Sequence, residues 1–249
     1  MSPNVRLGML TPSSNTVLEP MTYKILAGLP NVSAHFARFK VVAISLEAQY
    51  LNQFEEDVIL EAAERLAEAR VDVIAWNGTS SSWLGFDRDV RLCERITQIT
   101  GIPATTSMLA LNEVLRDTGV SQYAMVTPYL EDVQSKIISS YTRLGLTCVA
   151  EAHFGLQENF AFATVEEDRI RRSILEVAEA KPEAIAIVCT NLRAAQLAAS
   201  LEAEIGIPVY DSVSTAVWKS LQIAGVPTDL VTGWGRLFRH APRGAKTAA

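Results

Sequence analysis

The sequence predicts an α/β protein built from two open parallel sheets, flanked by helices and related by a pseudo-two-fold axis. Short apolar segments typical of buried strands alternate with segments of helical periodicity, which favours parallel pairing through right-handed crossovers. The order of these signals occurs twice along the 249 residues, which indicates an internal duplication. The first half is expected to comprise residues 1–115 plus 212–249, and the second half residues 116–211.

Three sequence motifs indicate the duplication. Each half is predicted to have a flavodoxin-like fold. An apolar run ends in Thr-Pro at 8–12 and 124–128, a second one ends in small polar residues at 73–79 and 185–190, and Gly-Ile-Pro occurs at 101–103 and 206–208. Ligands of such sheets bind beyond the carboxyl ends of the strands, so the expected active site is the cleft between the halves. The loops that should line it begin at Thr11, Gly78, Thr127 and Cys189.

The segments between the strands have the apolar spacing of amphipathic helices. The clearest examples run from Glu55 to Arg70 and from Asp168 to Ala180. A further helix-like stretch, Ser214 to Ala224, is expected to pack back on the first half. The small, basic tail from Arg239 to Ala249 is expected to fray, with its charge serving solubility.

The composition is that of a globular protein with a small partner. Hydrophobic residues make up 49% and charged residues 20%, which excludes a disordered chain. With 22 basic and 28 acidic residues the net charge is −6, and nucleic-acid binding is not expected because it needs clustered basic side chains. No apolar run approaches the roughly 18 residues of a membrane-spanning helix, and the amino end lacks the order of a signal peptide. We therefore expect a cytoplasmic protein without membrane contact, and leave open whether it forms a homo-oligomer.

Three cysteines, Cys93, Cys148 and Cys189, are too few and too far apart for a disulfide framework. No Cys or His pair has the spacing of a zinc site, so no metal is expected. Cys93 falls in a helical pattern and Cys148 in a strand pattern, which predicts that both are core residues. Signatures of nucleotide and phosphate cofactors are missing, so any chemistry is predicted to be cofactor-free.

Cys189 ends an apolar strand and precedes Thr190-Asn191, which reads as a helix start. Free backbone N–H groups at a helix start favour an anion and would lower the pKa of the thiol. The competing interpretation is that Cys189 is only a small core residue.

The matching loop of the first half contains Gly78, Thr79 and Ser80. Its hydroxyls and backbone N–H groups can hold an oxyanion but cannot readily move a proton. The competing interpretation is a solvated turn. A thiol on one side of the cleft and a glycine on the other predict that a planar intermediate is protonated from one face only.

Four further polar residues lie in the predicted loops. Ser14 and Asn15 either clamp a carboxylate or cap the following helix. Tyr129, just after the second Thr-Pro, either presents a phenolic donor or satisfies a buried hydrogen bond. Asn159 is either a ligand or a helix cap, and the three histidines are too scattered for a catalytic triad.

The duplicated halves and the strand-end cysteine resemble the aspartate/glutamate racemase superfamily, in particular its branch of maleate cis-trans isomerases and arylmalonate decarboxylases. The similarity extends over nearly the whole chain. Pro-Ser-Ser-Asn-Thr at 12–16 and Cys-Thr-Asn-Leu-Arg at 189–193 resemble maleate isomerase motifs. This resemblance implies that Asn15 and Asn159 hold a substrate carboxylate, and it places Gly78 where the isomerases have their first cysteine.

Arylmalonate decarboxylases resemble the chain at complementary positions. Their Gly-Thr-Ser oxyanion loop matches residues 78–80, their tyrosine matches Tyr129, their single cysteine matches Cys189, and their ending resembles Gly-Trp-Gly-Arg-Leu-Phe at 233–238. This resemblance implies a cofactor-independent lyase that decarboxylates a substituted malonate-like dicarboxylate through an enediolate.

In that reading Thr79, Ser80, Tyr129 and the backbone near Thr190 hold one carboxylate, and Cys189 protonates the carbanion from one side. The alternatives are a maleate cis-trans isomerase, a racemase of the Asp, Glu or hydantoin type, and a non-catalytic relative that binds dicarboxylates.

Overall fold

The computed structural model describes residues 4–47 and 56–240. These residues form two four-stranded parallel sheets with the orders β2-β1-β3-β4 and β6-β5-β7-β8. The two sheets repeat one flavodoxin-like order, so the predicted fold class is confirmed. The strands are β1 Val5–Pro12, β2 Val32–Phe39, β3 Val73–Trp76, β4 Ala104–Thr106, β5 Gln122–Thr127, β6 Thr147–His153, β7 Ala184–Ile187 and β8 Val209–Asp211.

Helices connect the strands and cover the sheets. In the first half they span Leu18–Leu26, Glu56–Glu68, Ser81–Leu84, Asp87–Thr100 and Ser107–Asp117. After β5 they span Glu131–Arg143, Asn159–Phe162, Glu167–Ala178, Ala198–Ile205 and Ser212–Ile223, with short 3₁₀ turns at Ala195–Leu197, Thr228–Leu230 and Arg236–Arg239. No helix in the described ranges has the length and apolar character needed to cross a membrane. The basic tail from residue 241 onwards lies outside the described residues.

The position of each strand in its sheet follows from its sequence. Every residue of β3 and β7 is buried, as expected for short apolar strands that have neighbours on both sides and helices on both faces. The strands at one edge of each sheet, β2 and β6, are partly exposed. The central strands therefore hold their carboxyl ends rigidly at the middle of the molecule.

The Gly-Ile-Pro motif has the same structural role in both halves. Gly101 and Gly206 follow the last residue of a helix with φ of 71° and 75°, a left-handed conformation that glycine adopts without strain. The carbonyls of the prolines two residues later accept backbone N–H groups of β3 and β7 at 3.0 and 2.8 Å. The motif thus ends a helix and starts the next strand beside the central one.

The helices that follow β4 and β8 pack on each other. Thr215 donates from Oγ1 to the carbonyl of Ser107 (3.0 Å), and Lys219 forms a 2.6 Å ion pair with Glu113. The helix after β8 also packs on the helix Leu18–Leu26. These contacts tie the last helix to the first part of the chain, while the division into halves at the stated boundaries stays a prediction.

Candidate active site

A small cavity lies beyond the carboxyl ends of β3 and β7, where the two repeated loops meet. Seven of the nine predicted site residues line it: Gly78, Thr79, Ser80, Tyr129, Asn159, Cys189 and Thr190. The remaining wall consists of Pro12, Val41, Ile44, Trp76 and Trp83. Ser14 and Asn15 do not line the cavity. Loops that are 111 residues apart in sequence thus share one concave site.

The cavity has space of about 20 Å³ for water-sized molecules, which suffices for about one water. A dicarboxylate is larger than this, so its binding requires some wall residues to move. Residues 42–44 form an antiparallel bridge with residues 157–159, with backbone hydrogen bonds of 2.8 and 2.9 Å. This bridge holds Val41 and Ile44 against the cavity, and it joins the two halves across the cleft.

Cys189 is 2% exposed and lies two residues after β7. The backbone N–H of Asn191 donates to its Sγ at 3.3 Å. Burial, with a smaller contribution from the charge of nearby Asp211, raises the pKa of the Cys189 thiol to about 12, although the backbone N–H of Asn191 and the Tyr129 hydroxyl act in the opposite direction. Cys189 is therefore a neutral thiol at physiological pH.

The predicted low pKa of Cys189 is wrong for two reasons. Residues 190 and 191 form a turn, and the first helical turn begins only at Ala195, so the expected helix start directly after Cys189 is missing. Removal of the thiolate from water then costs more than the few remaining N–H groups recover. A neutral buried thiol is a poor nucleophile, but it keeps a proton to donate.

Tyr129 joins the two loops of the cavity. Its hydroxyl lies 2.6 Å from Oγ1 of Thr79, with either oxygen able to donate, and Tyr129 lines the cavity together with Cys189. Burial raises the pKa of Tyr129 well above its ordinary value, so the phenol stays neutral. The rings of Trp83 and Phe162 pack edge-on against the Tyr129 ring, with centroids 5.4 and 5.5 Å from its centroid, and fix its orientation. A phenolic donor is thus held between the hydroxyl of one half and the thiol of the other.

The loop at Thr79 and Ser80 is not a solvated turn. Both residues are more than 90% buried, and the carbonyl of Ser80 accepts the N–H groups of Trp83 and Leu84 as the short helix Ser81–Leu84 begins. Side-chain hydroxyls held at the start of such a turn are suited to bind a carboxylate or a developing oxyanion.

Asn15 fixes the first helix and reaches the other half. Its Oδ1 accepts the N–H groups of Val17 and Leu18 at 3.0 and 2.9 Å, and its Nδ2 donates to the carbonyl of Thr190 at 3.1 Å. These contacts fit the helix-capping interpretation. Thr190 itself lines the cavity, and its hydroxyl donates to the carbonyl of Asn77 (3.1 Å).

Asn159 presents its side chain to the cavity and to Ser14. Its Nδ2 donates to Oγ of Ser14 (2.7 Å), which in turn donates to the carbonyl of Val41 (2.5 Å). Ser14 therefore supports the cavity from behind through Val41, and Asn159 is the amide that reaches the site itself.

Sequence reasoning missed two residues that shape the site. Asn191 accepts the N–H groups of Thr16 and Val17 and donates to the carbonyl of Asn159 (2.6 Å), so one buried amide joins three segments. Trp76 lines the cavity beside Gly78. The signal for Trp76 was available, because residues two apart in a strand project to the same face.

A larger cavity of about 420 Å³ lies elsewhere, beside Phe86, Leu115, Val120, Tyr141 and Leu144. None of the predicted site residues lines it. The smaller cavity is the candidate active site because it alone of the two gathers the thiol, the phenol and the loop hydroxyls.

Comparison with known proteins identifies the family of the chain. The family model described as arylmalonate decarboxylase matches residues 16–238. The arylmalonate decarboxylase of Bordetella bronchiseptica is 24% identical over 235 residues, which cover 93% of this chain and 95% of that protein. The maleate isomerase of Geobacillus stearothermophilus is 21% identical over 239 residues, which cover 92% and 95%.

Solved structures of both enzymes share the fold. A Cys-to-Ala variant of the maleate isomerase Iso from Pseudomonas putida S16, crystallised with maleate, superposes with a TM-score of 0.87 at 23% identity and covers 96% of this chain and 98% of that one. A double variant of arylmalonate decarboxylase, Gly-to-Cys and Cys-to-Ser, in its liganded form has a TM-score of 0.84 at 22% identity and covers 95% and 100%. The resemblance found in the sequence is thereby confirmed, and the chain belongs to the arylmalonate decarboxylase family.

Proposed function

We propose that the protein is a cofactor-independent decarboxylase of a small substituted malonate, which it protonates on one face through Cys189. The observation that carries this proposal is the composition of the cavity: one neutral thiol, a phenol and a hydroxyl loop, with a glycine at the position equivalent to the thiol. Both functions found among the relatives act on dicarboxylates or their derivatives, in agreement with a small diacid partner.

One carboxylate of the substrate binds to the hydroxyls of Thr79, Ser80 and Tyr129. The hydrogen bond between Thr79 and Tyr129 leaves one of the two hydroxyl protons free to turn towards this ligand. The other carboxylate lies against Val41 and Ile44, where poor solvation favours its loss.

The C–C bond to that carboxylate breaks, carbon dioxide leaves, and the electron pair is delocalised into the retained carboxylate as an enediolate. Each preorganised donor to its oxygens contributes roughly 3 kcal/mol, by analogy with the deletion of oxyanion-hole donors. Cys189 then transfers its S–H proton to the α-carbon. Water restores the proton on sulfur, so the net reaction consumes one proton from solvent for each carbon dioxide released.

The neutral state of Cys189 suits this step. A thiolate would have no proton to give, whereas a thiol with a pKa of about 12 donates only to a strongly basic centre such as a carbanion. Tyr129 and the N–H of Asn191 remain in contact with the sulfur and stabilise the thiolate that forms.

A maleate cis-trans isomerase is the second candidate. Asn15, Asn159 and the Thr190-Asn191 pair support it, because they form one connected amide network next to the cavity. Such an enzyme would have to attack its substrate with Cys189 or with water, since Gly78 offers no nucleophile. Two further candidates remain: a racemase of the Asp, Glu or hydantoin type, and a non-catalytic protein that binds dicarboxylates.

The test is a proton NMR assay with methyl-, phenyl- and hydroxymethyl-substituted methylmalonates, maleate, aspartate and hydantoins as separate substrates. Carbon dioxide release with formation of a monoacid supports the proposal, whereas conversion of maleate to fumarate without carbon dioxide release supports the isomerase. Inversion of aspartate or a hydantoin supports a racemase, and binding of diacids by calorimetry without turnover supports the non-catalytic relative.

A further inference from the structure

Gly78 lies directly beneath an aromatic ring. A Cβ atom placed on Gly78 would lie 1.9 Å from Cζ2, 2.3 Å from Cε2 and 2.6 Å from Cη2 of Trp76, all well inside van der Waals contact. The two residues meet because side chains two apart in an extended chain project to the same face. Position 78 therefore has room for a hydrogen atom and no more.

The ring has little freedom to move aside. Trp76 is 1% exposed, and its ring packs on Phe39 with centroids 4.9 Å apart. Both side chains are buried in the core of the first half. An added methyl group at Gly78 would thus meet a fixed wall, and overpacking of this kind destabilises the folded state.

The same ring forms part of the cavity wall. Trp76, Gly78 and Cys189 all line the cavity, and Gly78 and Cys189 occupy equivalent positions in the duplicated fold. The indole edge therefore takes the place that a side chain on residue 78 would occupy opposite the thiol. Its benzo carbons carry no exchangeable proton.

We propose that Trp76 is a specificity-determining residue: its indole shields the face of the intermediate opposite Cys189 and excludes a second proton-carrying side chain from position 78. This inference rests on the proposed function for its stereochemical part only. The contact between Trp76 and Gly78 also affects how a second thiol could be introduced into the cleft. A Gly78→Cys substitution alone meets the indole, so racemising activity should need a smaller residue at position 76 as well.

The steric part is tested by thermal unfolding, independently of any activity. Gly78→Ala should lower the Tm by about 5 °C in the wild-type chain and by much less in a Trp76→Leu background. Gly28→Ala is the matched control, because nothing lies within 4 Å of a Cβ added there. An equal loss of Tm in both backgrounds would overturn the steric claim. If Trp76→Leu does not fold, the same comparison is made with Trp76→Phe as the background, because this variant keeps a ring packed on Phe39.

The stereochemical part is tested on the product of a prochiral malonate decarboxylated in water. Trp76→Leu and Trp76→Phe should lower the enantiomeric ratio by about tenfold, because water reaches the exposed face. Gly78→Cys should racemise the product only when combined with Trp76→Leu. An unchanged enantiomeric ratio, or racemisation by Gly78→Cys alone, would overturn the shielding claim. Absence of decarboxylation by the wild type would instead refute the proposed function. The Tm measurements in the two backgrounds would still decide whether Trp76 excludes a side chain at position 78.

Discussion

The ends of β3 and β7 are equivalent in backbone and opposite in chemistry. The residue after each strand donates its N–H to the neighbouring central strand at 3.1 Å, from Asn77 to Leu10 and from Val188 to Val126. One position further, the first half has Gly78 under a tryptophan and the second has a buried thiol. The comparison teaches that duplication supplies two matching positions in a cleft, and that the neighbouring side chains decide which of them has room for a reactive side chain.

Removal of the Cys189 thiol should have the largest effect on the decarboxylation rate. Cys189→Ala leaves no proton donor at either strand end, so the decarboxylation rate should fall by about 10³-fold while the Tm stays near that of the wild type. The rate is measured by carbon dioxide release. Cys148→Ala, on the partly exposed strand β6, is the matched control and should keep its rate. A Cys189→Ala variant that retains most of its turnover would remove the thiol from the mechanism.

Removal of the phenol should have the next largest effect. Tyr129→Phe keeps the ring between Trp83 and Phe162 but deletes the hydroxyl that is hydrogen-bonded to Thr79, and the rate should fall by about 10²-fold. Steady-state kinetics locate the loss, which should appear in kcat more than in KM. Tyr123→Phe, fully buried in β5 and away from the cavity, should leave the rate unchanged. Equal kinetics for the two variants would contradict the assignment of Tyr129.

The protonation state of Cys189 predicts its reactivity. With a pKa of about 12, the thiol should react slowly with iodoacetamide at pH 7, and the rate should rise about tenfold for each pH unit up to pH 10. Mass spectrometry of the Cys189 peptide gives this rate. Fast labelling at pH 7 would contradict a neutral thiol. Because slow labelling is expected of an active enzyme here, labelling rate alone does not distinguish an enzyme from a non-catalytic relative.

The fold and much of the site could be predicted because the repeat places equivalent loops at equivalent strand ends. That reasoning brought Thr79, Tyr129 and Cys189 together correctly in space. It did not give the pKa of Cys189, since the depth of burial depends on the packing of both halves. Nor did it give Asn191 or Trp76, because contacts across the cleft depend on how the two halves are placed against each other, which the periodicity of one half does not contain.

The caps of the two equivalent helices allow a finer comparison. Thr106 caps the helix after β4 with a neutral hydroxyl, whereas Asp211 caps the helix after β8 with a carboxylate that accepts the N–H groups of Val213 and Ser214. Its Oδ2 is buried with no hydrogen-bond partner among the described residues. Burial raises the pKa of Asp211 from 3.8 to about 7.

This raised pKa should appear in the pH dependence of stability. The folded state holds the proton more tightly than the unfolded state, so the contribution of Asp211 is full below about pH 4 and is lost as the pH rises through 7. Asp211→Asn keeps the capping oxygen without the charge, and between pH 5 and 8 it should gain on the order of 2 kcal/mol relative to wild type. Urea unfolding at several pH values measures this difference. Parallel curves for Asp211→Asn and wild type would contradict the assignment.

The contact between Trp76 and Gly78 fixes the order in which mutations can accumulate during evolution. A side chain at residue 78 collides with the indole, so a lineage that acquires a second thiol there loses stability unless the tryptophan is replaced first. That first step leaves an unfilled space in the core and lowers stability before any new activity exists. A lineage of this kind therefore keeps a single thiol in the cleft until some other change has stabilised the fold.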